Sequence, residues 1–505
     1  MTDRLQPATY TEGPIGRQLA TMASHMVVGL LAIAAFNFTD TFFVSRLGER
    51  PLAAMSFVHP MAMIGFSLMF GLGIGVSAVL SKLVGQGDGQ RVRRLTTDTV
   101  LLTLMLGLVL AGGFAIIAYP LFAKMGAQGE TLDLAMGYVS IWIMGFPIGV
   151  LPMVVNNAIR ANGDTRTPAL IMSISAGLNA IMDPFFIFGV ADLGMLGATG
   201  EAVRHAMLSI GIPDFHGMGI RGAAWATVIS RCLSTTAAMS IIHFRLRMLT
   251  FVWPGIRGVL DSWKRVLTIG IPASLTHTLN PLSMLVVTGI VFRAAGSVAG
   301  GESAVAALAP GGIIEFMAIL PVFACASVVL PFVGQNSGAG RFDRVRIALK
   351  QMTVFVVLWS LVMAGVFFVF ARPIAMIFSK GDGEPQVLIE LTRYVRIIPW
   401  GFAAMGLLIV AANILNALHR PMQSVLINVT RTFIFMVPLS YMGSKLLGVT
   451  GAFFGMMLAN APAGLLAMIL VHRELSRQAA AIPEAPIDLG PGPGEQALDG
   501  EPWDG

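Results

Sequence analysis

The sequence predicts an all-α polytopic membrane protein with twelve transmembrane helices in two six-helix lobes, which are related by a pseudo-twofold axis. The first observation behind this prediction is composition: of 505 residues, 55% are hydrophobic and 12% are charged, and the mean hydropathy is +0.76. A soluble protein has about 25% charged residues. The second observation is that the apolar runs are long and continuous, which excludes a β-barrel of short alternating strands. The third is an internal repeat.

Twelve apolar runs approach the length of about 20 residues that a helix needs to cross a bilayer. They cover residues 19–44, 52–80, 96–122, 133–158, 168–190, 219–242, 264–292, 304–333, 349–371, 388–415, 422–442 and 449–471. An even number of crossings puts both termini on one side. The termini and loops of that side carry about 20 Lys and Arg residues, against about 11 on the other side. We therefore expect both termini in the cytoplasm and the protein in a bacterial cytoplasmic (inner) membrane.

The apolar runs also define the domain organisation that we predict. It consists of a cytoplasmic N-terminal segment 1–18, a first lobe 19–245 with an extracytoplasmic insertion 191–218, a cytoplasmic linker 246–263, a second lobe 264–473 and a disordered cytoplasmic tail 474–505. The tail is rich in Pro, Gly and Glu, a composition that does not support a packed core. Within the insertion, "GEAVRHAMLSI" is compatible with a short amphipathic interfacial helix or with a solvated loop.

Three pairs of motifs indicate that the two halves are repeats. Each pair occurs at the same point of its half: after the second span, after the fourth span, and at the start of the sixth. The pairs are "LVGQGDGQRVRRL" (83–95) with "FVGQNSGAGRFDRVRIAL" (332–349), "NNAIRANGDTRTP" (156–168) with "ANILNALHRP" (412–421), and "GIRGAAWATVIS" (219–230) with "GVTGAFFGMMLA" (448–459). Repeats of this kind are typical of transporters whose halves rock against each other.

These motifs, together with "DTFFVSRLG" and "LAAMSFVHP" in the first two spans, resemble the MATE (multidrug and toxic compound extrusion) family of the MOP flippase superfamily, and its DinF-like branch in particular. The resemblance covers residues from about 16 to 475. It implies a monomeric antiporter that exports drugs and other organic, often cationic, compounds against entry of Na+ or H+ without a cofactor. Flippases of lipid-linked precursors share the fold and are the alternative.

Other functional classes find less support in the sequence. An enzyme would need a catalytic set, and the chain has no HExxH, GxSxG or Cys/His metal spacing. The formal net charge of +6 is no signal for nucleic acid, because the basic residues lie in short loops where they meet anionic lipid headgroups. Membrane lipids and small organic molecules are therefore the expected partners.

Asp40 is the first candidate for a functional residue, because ionisable groups inside a membrane span are costly and usually serve a function. Asn37 and Thr41 flank it on the same helix. Alternatively, Asp40 lies close enough to the outer surface to stay hydrated, or caps a neighbouring helix. In the MATE family the coupling carboxylate lies on this first helix.

The fifth predicted span contains a second carboxylate, Asp183, four residues after Asn179 and directly before Pro184. Side chains four residues apart share one face of a helix. Pro184 cannot donate to the carbonyl oxygen of Ala180, which is left free. Carboxylate, amide and carbonyl oxygens suit a small hard cation such as Na+, or a proton. The alternative is a structural hydrogen-bond cluster around a proline kink.

The resemblance completes this candidate site. In the DinF-like branch a first-lobe cation site consists of Asp, Asn, Asp and Thr, a pattern that matches Asp40, Asn179, Asp183 and Thr227. By itself Thr227 means little, since threonine in membrane helices usually bonds to its own backbone. We also include Asn156 and Asn157 of the fourth span in the predicted network, although both lie near the cytoplasmic end of that span.

The second lobe offers weaker candidates for coupling or substrate binding. Glu315 lies early in the eighth span, and MATE proteins often carry an acid there. A structural pair with an arginine, either Arg231 or Arg431, is the alternative. Asn280 is the polar residue that the seventh span offers where another branch of the family carries an acid.

Overall fold

A computed structural model of the chain describes residues 9–211, 213–252, 255–378 and 385–480. Seventeen α-helices make up this part of the chain. The first lobe contains α1 (Ile15–Ser45), α2 (Glu49–Gly85), α3 (Gly89–Lys124), α4 (Gly129–Gly149), α5 (Leu151–Ala161), α6 (Arg166–Phe188), α7 (Ala198–Ser209) and α8 (Ile220–Ser240). The second lobe contains α9 (Ile256–Ala294), α10 (Val298–Ala306), α11 (Leu308–Gly338), α12 (Phe342–Phe378), α13 (Pro385–Ile397), α14 (Phe402–Ala417), α15 (Pro421–Val429), α16 (Val437–Leu458) and α17 (Asn460–Ala480).

Each of the twelve predicted spans corresponds to one of these helices or to a pair of them. In the described residues, ten helical runs are long and apolar enough to cross a membrane. One of the ten, 421–480, contains two crossings, because the backbone leaves helical geometry at Leu447 and Gly448. The remaining crossing is α8, whose mean hydropathy is lowered by two arginines and six serine or threonine residues.

Local sequence explains where the helices end. Gly48 and Gly87 take positive φ angles of 109° and 74° in the tight turns after α1 and α2, a conformation that costs glycine little. Asp88 then caps α3, because its carboxylate accepts a hydrogen bond of 3.0 Å from the backbone N–H of Arg91. The short turns hold consecutive helices antiparallel, so that each lobe is a bundle.

Two predicted domain boundaries need correction. The tail does not begin at 474, because α17 continues to Ala480 and Glu474 is buried against Arg420, with 2.8 Å between Oε1 and Nε. Residues 481–505 and 1–8 lie outside the described residues. The predicted linker 246–263 is shorter than expected, because α9 already begins at Ile256. Within the insertion 191–218, residues Ala198–Ser209 form helix α7; its position at the membrane interface stays a prediction.

Helix α1 begins and α17 ends at the same side of the molecule, which we call the terminal face; the opposite side is the distal face. Close helix packing joins the lobes near the terminal face. Gly85 of α2 lies against the Gln335 backbone of α11, and Gly334 of α11 lies against Ser81 of α2. Side chains larger than hydrogen would overlap these neighbours, so α2 and α11 approach closely only because glycine occupies both positions.

Residues 9–14, which we call the N-terminal strap, bridge the two lobes across the terminal face. The Tyr10 hydroxyl donates to the Gly163 carbonyl oxygen of the first lobe at 2.6 Å, while its backbone N–H donates to Gln335 Oε1 of the second lobe at 3.1 Å. Arg344 of α12 donates to the carbonyl oxygens of Tyr10, Glu12 and Gly13 at 2.9–3.3 Å. The strap thus holds the two lobes together at this face, an arrangement that we call the closed terminal face.

Candidate functional site

Asp40 lies on α1 about one and a half helical turns before Ser45, and therefore in the distal half of the molecule. Its side chain is buried, with 7% of the residue exposed, because α1 packs against α6 at this level. Asp40 Oδ1 has no hydrogen-bond partner among the described residues. Thr41 instead donates to the Asn37 carbonyl oxygen of its own helix at 2.9 Å and takes no part in the site.

Asn179 and Asp183 face the same interior from α6, and both are fully buried. The amide Nδ2 of Asn179 donates to Asp183 Oδ1 at 3.1 Å, as the spacing of four residues predicts. Within the described chain, Asn179 Oδ1 and Asp183 Oδ2 are buried without a partner. A cluster serving structure alone would satisfy these oxygens, since a buried unpaired polar atom is costly.

Thr227 and Tyr138 complete the cluster from α8 and α4. The Thr227 hydroxyl oxygen is buried, makes no hydrogen bond of good geometry to another described residue, and lies next to the Tyr138 phenol. Tyr138 is itself buried and within electrostatic range of both Asp40 and Asp183. The structure therefore brings together the four residues of the predicted pattern and adds a tyrosine that the sequence interpretation missed.

Arg231 supplies the positive charge of the cluster. It follows Thr227 by four residues, so both side chains lie on the same face of α8. Its guanidinium carbon is 5.0 Å from the ring centroid of Phe66 and 5.5 Å from that of Phe36, distances at which a cation is attracted to an aromatic face. Asp40 is in electrostatic range of Arg231, but the two form no ion pair within 4 Å in the described part of the chain.

The charges of this cluster do not balance when both carboxylates are ionised. Asp40 and Asp183 contribute two negative charges and Arg231 one positive charge, which leaves a net charge of −1. Four buried oxygens, from Asp40, Asn179, Asp183 and Thr227, lack hydrogen-bond partners in the described residues. One monovalent cation would neutralise this charge and provide a binding partner for some of these oxygens. The cation could be a proton or a Na+ ion, which prefers hard oxygen ligands.

Asn156 and Asn157 do not belong to this cluster, and their inclusion in the predicted network was wrong. They lie on α5, further along the fourth crossing than Tyr138. At a rise of 1.5 Å per residue, the separation along the helix axis is about 27 Å. Asn157 Nδ2 donates to the Met153 carbonyl oxygen at 2.7 Å and packs against Gly73 of α2. The pair therefore lies near the terminal face, whereas the cluster lies in the distal half.

A second buried cluster surrounds Glu315 in the other lobe. The Tyr394 hydroxyl donates to Glu315 Oε2 at 2.7 Å, and Arg431 is in electrostatic range of the same carboxylate. Arg431 Nε donates to Asn460 Oδ1 at 2.8 Å. Arg431 is therefore the arginine near Glu315, but the two form no ion pair within 4 Å among the described residues, and a role of Glu315 in coupling or substrate binding stays a prediction. The side chain of Asn280 is outside the described residues.

The two tyrosines occupy matching positions of the repeat. Tyr138 begins "YVSIWIMGF" and Tyr394 begins "YVRIIPWGF", so that Val, Ile, Gly and Phe recur at the same spacing. Tyr138 is in electrostatic range of Asp40 and Arg231, and Tyr394 contacts Glu315, which is in turn in electrostatic range of Arg431. This spacing is the signal from which Tyr138 could have been found.

Comparison with known proteins assigns the chain to a family. The family model described as MatE matches residues 26–185 and 272–442, once in each lobe. The chain belongs to the MatE family. The predicted membership of MATE and of the MOP superfamily is thereby confirmed; the DinF-like branch stays a prediction.

Similar proteins extend over nearly the whole of this MatE chain. A FAD transporter of Shewanella oneidensis is 34% identical over 460 residues, which cover 91% of this chain and 95% of that protein. The multidrug export protein MepA of Staphylococcus aureus is 21% identical, with coverages of 92% and 95%. The crystal structure of the Vibrio cholerae MATE transporter VcmN in the bent form matches with a TM-score of 0.80 and 26% identity, covering 92% of this chain and 98% of that one.

These likenesses confirm the coarse predictions made from the sequence. The protein is a multi-pass membrane transporter with the twelve-helix MATE fold, and not an enzyme. Drug efflux is the transport class that its multidrug relatives support.

Proposed function

We propose that this transporter exports small organic compounds across a bacterial cytoplasmic membrane in exchange for Na+ or H+, with Asp40, Asn179, Asp183 and Thr227 as the cation-coupling residues. The observation that carries the proposal is a buried cluster of two carboxylates and one arginine in which four oxygens lack partners in the described residues; with both carboxylates ionised, its net charge is −1. The Lys and Arg bias supports cytoplasmic termini. With that orientation, the closed terminal face is cytoplasmic and the cluster lies in the outer half. We also propose that the protein acts as a monomer.

The coupling mechanism follows from the position of the cluster between helices. Asp40 on α1 and Asp183 on α6 repel each other when both are ionised, and Arg231 offsets only one of the two charges. A cation that enters from outside removes the repulsion and allows α1 and α6 to close together. Because the cation binds the closed arrangement better, it shifts the lobe towards that conformation. Closing of α1 on α6 reshapes the space between the lobes, which releases the cargo outwards.

A direct test uses the purified protein in proteoliposomes. Na+ and pH gradients are imposed separately, and the movement of ethidium, a fluorescent organic cation, is followed. Asp40→Asn should abolish gradient-driven movement, whereas Asp133→Asn, which changes an exposed carboxylate near the distal face, should leave it unchanged. Movement that neither gradient drives, or full coupling in Asp40→Asn, would contradict the proposal.

FAD is the second candidate cargo. It is favoured by the half-buried guanidinium of Arg231, held between Phe66 and Phe36, because such a group attracts both phosphate and planar aromatic rings. It also agrees with the name of the Shewanella oneidensis relative. In the same vesicles, gradient-driven movement of FAD but not of ethidium would support this cargo over organic cations. The flippase alternative predicts that only a fluorescent lipid-linked pyrophosphate moves.

A further inference from the structure

A cavity of about 500 Å³ opens at the terminal face between the two lobes. It is bounded by the end of α2, the first turn of α3, the start of α9 and the loop between α14 and α15. Its charged or titratable lining consists of Lys82, Arg91, Asp261, Lys264, Arg265 and His419. The cavity is far from the proposed coupling cluster, which lies in the distal half, and nothing in the proposed transport cycle uses it.

The charges that line the cavity are strongly unbalanced. Four basic residues face one acid, Asp261, which forms an ion pair of 2.9 Å with Arg265. Arg91 pairs at 3.2 Å with Asp88, the residue that caps α3. Among the described residues, no carboxylate pairs with either Lys82 or Lys264. These two lysines therefore present uncompensated positive charge to the same space, one from each lobe.

His419 adds a neutral polar group to this lining. Burial, and to a smaller degree the charge of Lys82, lowers the pKa of His419 to about 4, so that the imidazole is uncharged near neutral pH. Its Nε2 atom is buried and has no hydrogen-bond partner in the described chain. The backbone holds His419 at a φ of +60°, which is unusual for a residue other than glycine. A strained residue with an unpaired ring nitrogen agrees with a role in binding.

We propose that this cavity binds a phosphate-bearing anion, either a lipid headgroup or a soluble phosphate compound, between Lys82 of the first lobe and Lys264 of the second. Lysine ammonium groups bind phosphate as point charges. Lys82 lies within one turn of the end of α2, at the depth where lipid headgroups meet a membrane protein. An anion held from both lobes favours the conformation in which the terminal face is closed, because that conformation keeps both lysines together.

The test measures the stability of the full-length protein in a neutral detergent. Thermal unfolding is followed while dioleoylphosphatidylglycerol or, separately, sodium pyrophosphate is titrated. Dioleoylphosphatidylcholine and sodium chloride of equal ionic strength serve as controls. At least one of the two anions should raise the unfolding temperature by mass action. In the double variant Lys82→Gln, Lys264→Gln its apparent affinity should fall about ten- to hundredfold, because solvent screening reduces the contribution of each lysine at this partly exposed site.

A matched control separates the cavity from general electrostatics. The double variant Arg346→Gln, Lys350→Gln removes the same charge from exposed positions of α12 at the same face, and it should keep the wild-type affinity. Stabilisation by phosphatidylglycerol alone identifies a lipid site, and stabilisation by pyrophosphate alone identifies a soluble ligand. The proposal is wrong if neither anion stabilises the protein, or if both double variants lose affinity equally. Lys264→Gln alone, at an exposed side chain, should show part of the loss if the double variant does not fold.

Discussion

Removal of the Arg344 side chain should release the N-terminal strap without unfolding the transporter. Arg344 is buried and donates to the carbonyl oxygens of Tyr10, Glu12 and Gly13, as well as to Gln18 Oε1 and Asn336 Oδ1. Each charge-assisted hydrogen bond contributes about 1.5–3 kcal/mol. Water can reach the vacated acceptors from the terminal face and will recover part of this energy. We therefore expect Arg344→Ala to destabilise the strap by about 3 kcal/mol, equivalent to two such bonds.

Amide hydrogen exchange measured by mass spectrometry is the suitable assay, because it reports local opening. A loss of about 3 kcal/mol corresponds to exchange about a hundredfold faster in the strap. The effect should be confined to peptides that cover residues 9–18, while peptides from α6 keep wild-type exchange. Arg341→Ala is the matched control. Among the described residues, the Arg341 side chain pairs only with the exposed Asp343, at 3.3 Å, and such pairs contribute at most about 1 kcal/mol.

Exchange in the strap that rises less than about threefold in Arg344→Ala would refute this reasoning, since it would mean less than about 0.7 kcal/mol. The same holds if Arg341→Ala accelerates exchange equally. A uniform acceleration over the whole chain would show that Arg344 stabilises the fold as a whole instead of the strap.

Three further predictions concern the site and its surroundings. Asp40→Asn should weaken Na+ or proton binding about a hundredfold, because the cluster then carries no net negative charge. Isothermal titration calorimetry with Na+ and measurements of proton uptake test this prediction. Unchanged binding of both ions would exclude Asp40 as a ligand. Gly222→Ala should lower the free energy of unfolding by about 1–3 kcal/mol, because the new Cβ would overlap a backbone oxygen of α6. Gly177→Ala should be neutral or slightly stabilising, because no atom lies within 4 Å of the position of its Cβ. Equal thermal unfolding temperatures for the two variants would contradict this. In the distal insertion, a hydrogen bond of 3.0 Å to the Asp192 carboxylate raises the pKa of His216. This contact therefore stabilises the insertion at a pH below the unfolded-state pKa of histidine, and the stabilisation is lost as the pH rises through the higher pKa of the folded state. An NMR titration should show a lower pKa of His216 in Asp192→Asn, and an unchanged pKa would refute the assignment.

The sequence predicted the fold well because span length is set by the bilayer and not by tertiary contacts. All twelve spans were found, including α8, although Arg231 and several hydroxyl side chains reduce its hydropathy. The two domain boundaries that failed lie where helices continue past the membrane. Glu474 is polar in sequence, but its pairing with Arg420 extends α17 by a further two turns.

The candidate site was predicted in part, for reasons that differ from residue to residue. Asn179 and Asp183 follow from helical spacing alone, whereas joining them to Asp40 and Thr227 required the family resemblance. Tyr138 was missed because an aromatic residue in an apolar span looks like packing unless the repeat is aligned residue by residue. Asn157 was wrongly included, since residue type was given more weight than its depth in the membrane.

The N-terminal strap could not be predicted from the sequence at all. Residues 9–14 are polar and have no helical or strand periodicity, and their partners Gln335 and Arg344 lie more than 300 residues further along the chain. Hydrogen bonds between such distant residues leave no local pattern. These hydrogen bonds can be identified only from the three-dimensional structure, in which the ends of α1, α5 and α11 at the terminal face lie next to each other.

The polarity of α8 has a consequence for how the protein is made. During synthesis each helix leaves the translocon according to its own affinity for lipid, and one arginine at the centre of a helix costs about 2.5–3.5 kcal/mol. Leucine or isoleucine contributes only about 0.3–0.6 kcal/mol per residue, and α8 carries Arg231 and six Ser or Thr residues after Ile220 and Arg221. We therefore expect α8 to leave the translocon only when α1, α4 and α6 are present to pack against it. Phe36 and Phe66 would then act as a docking point for the arginine during biogenesis, well before they serve any transport cycle.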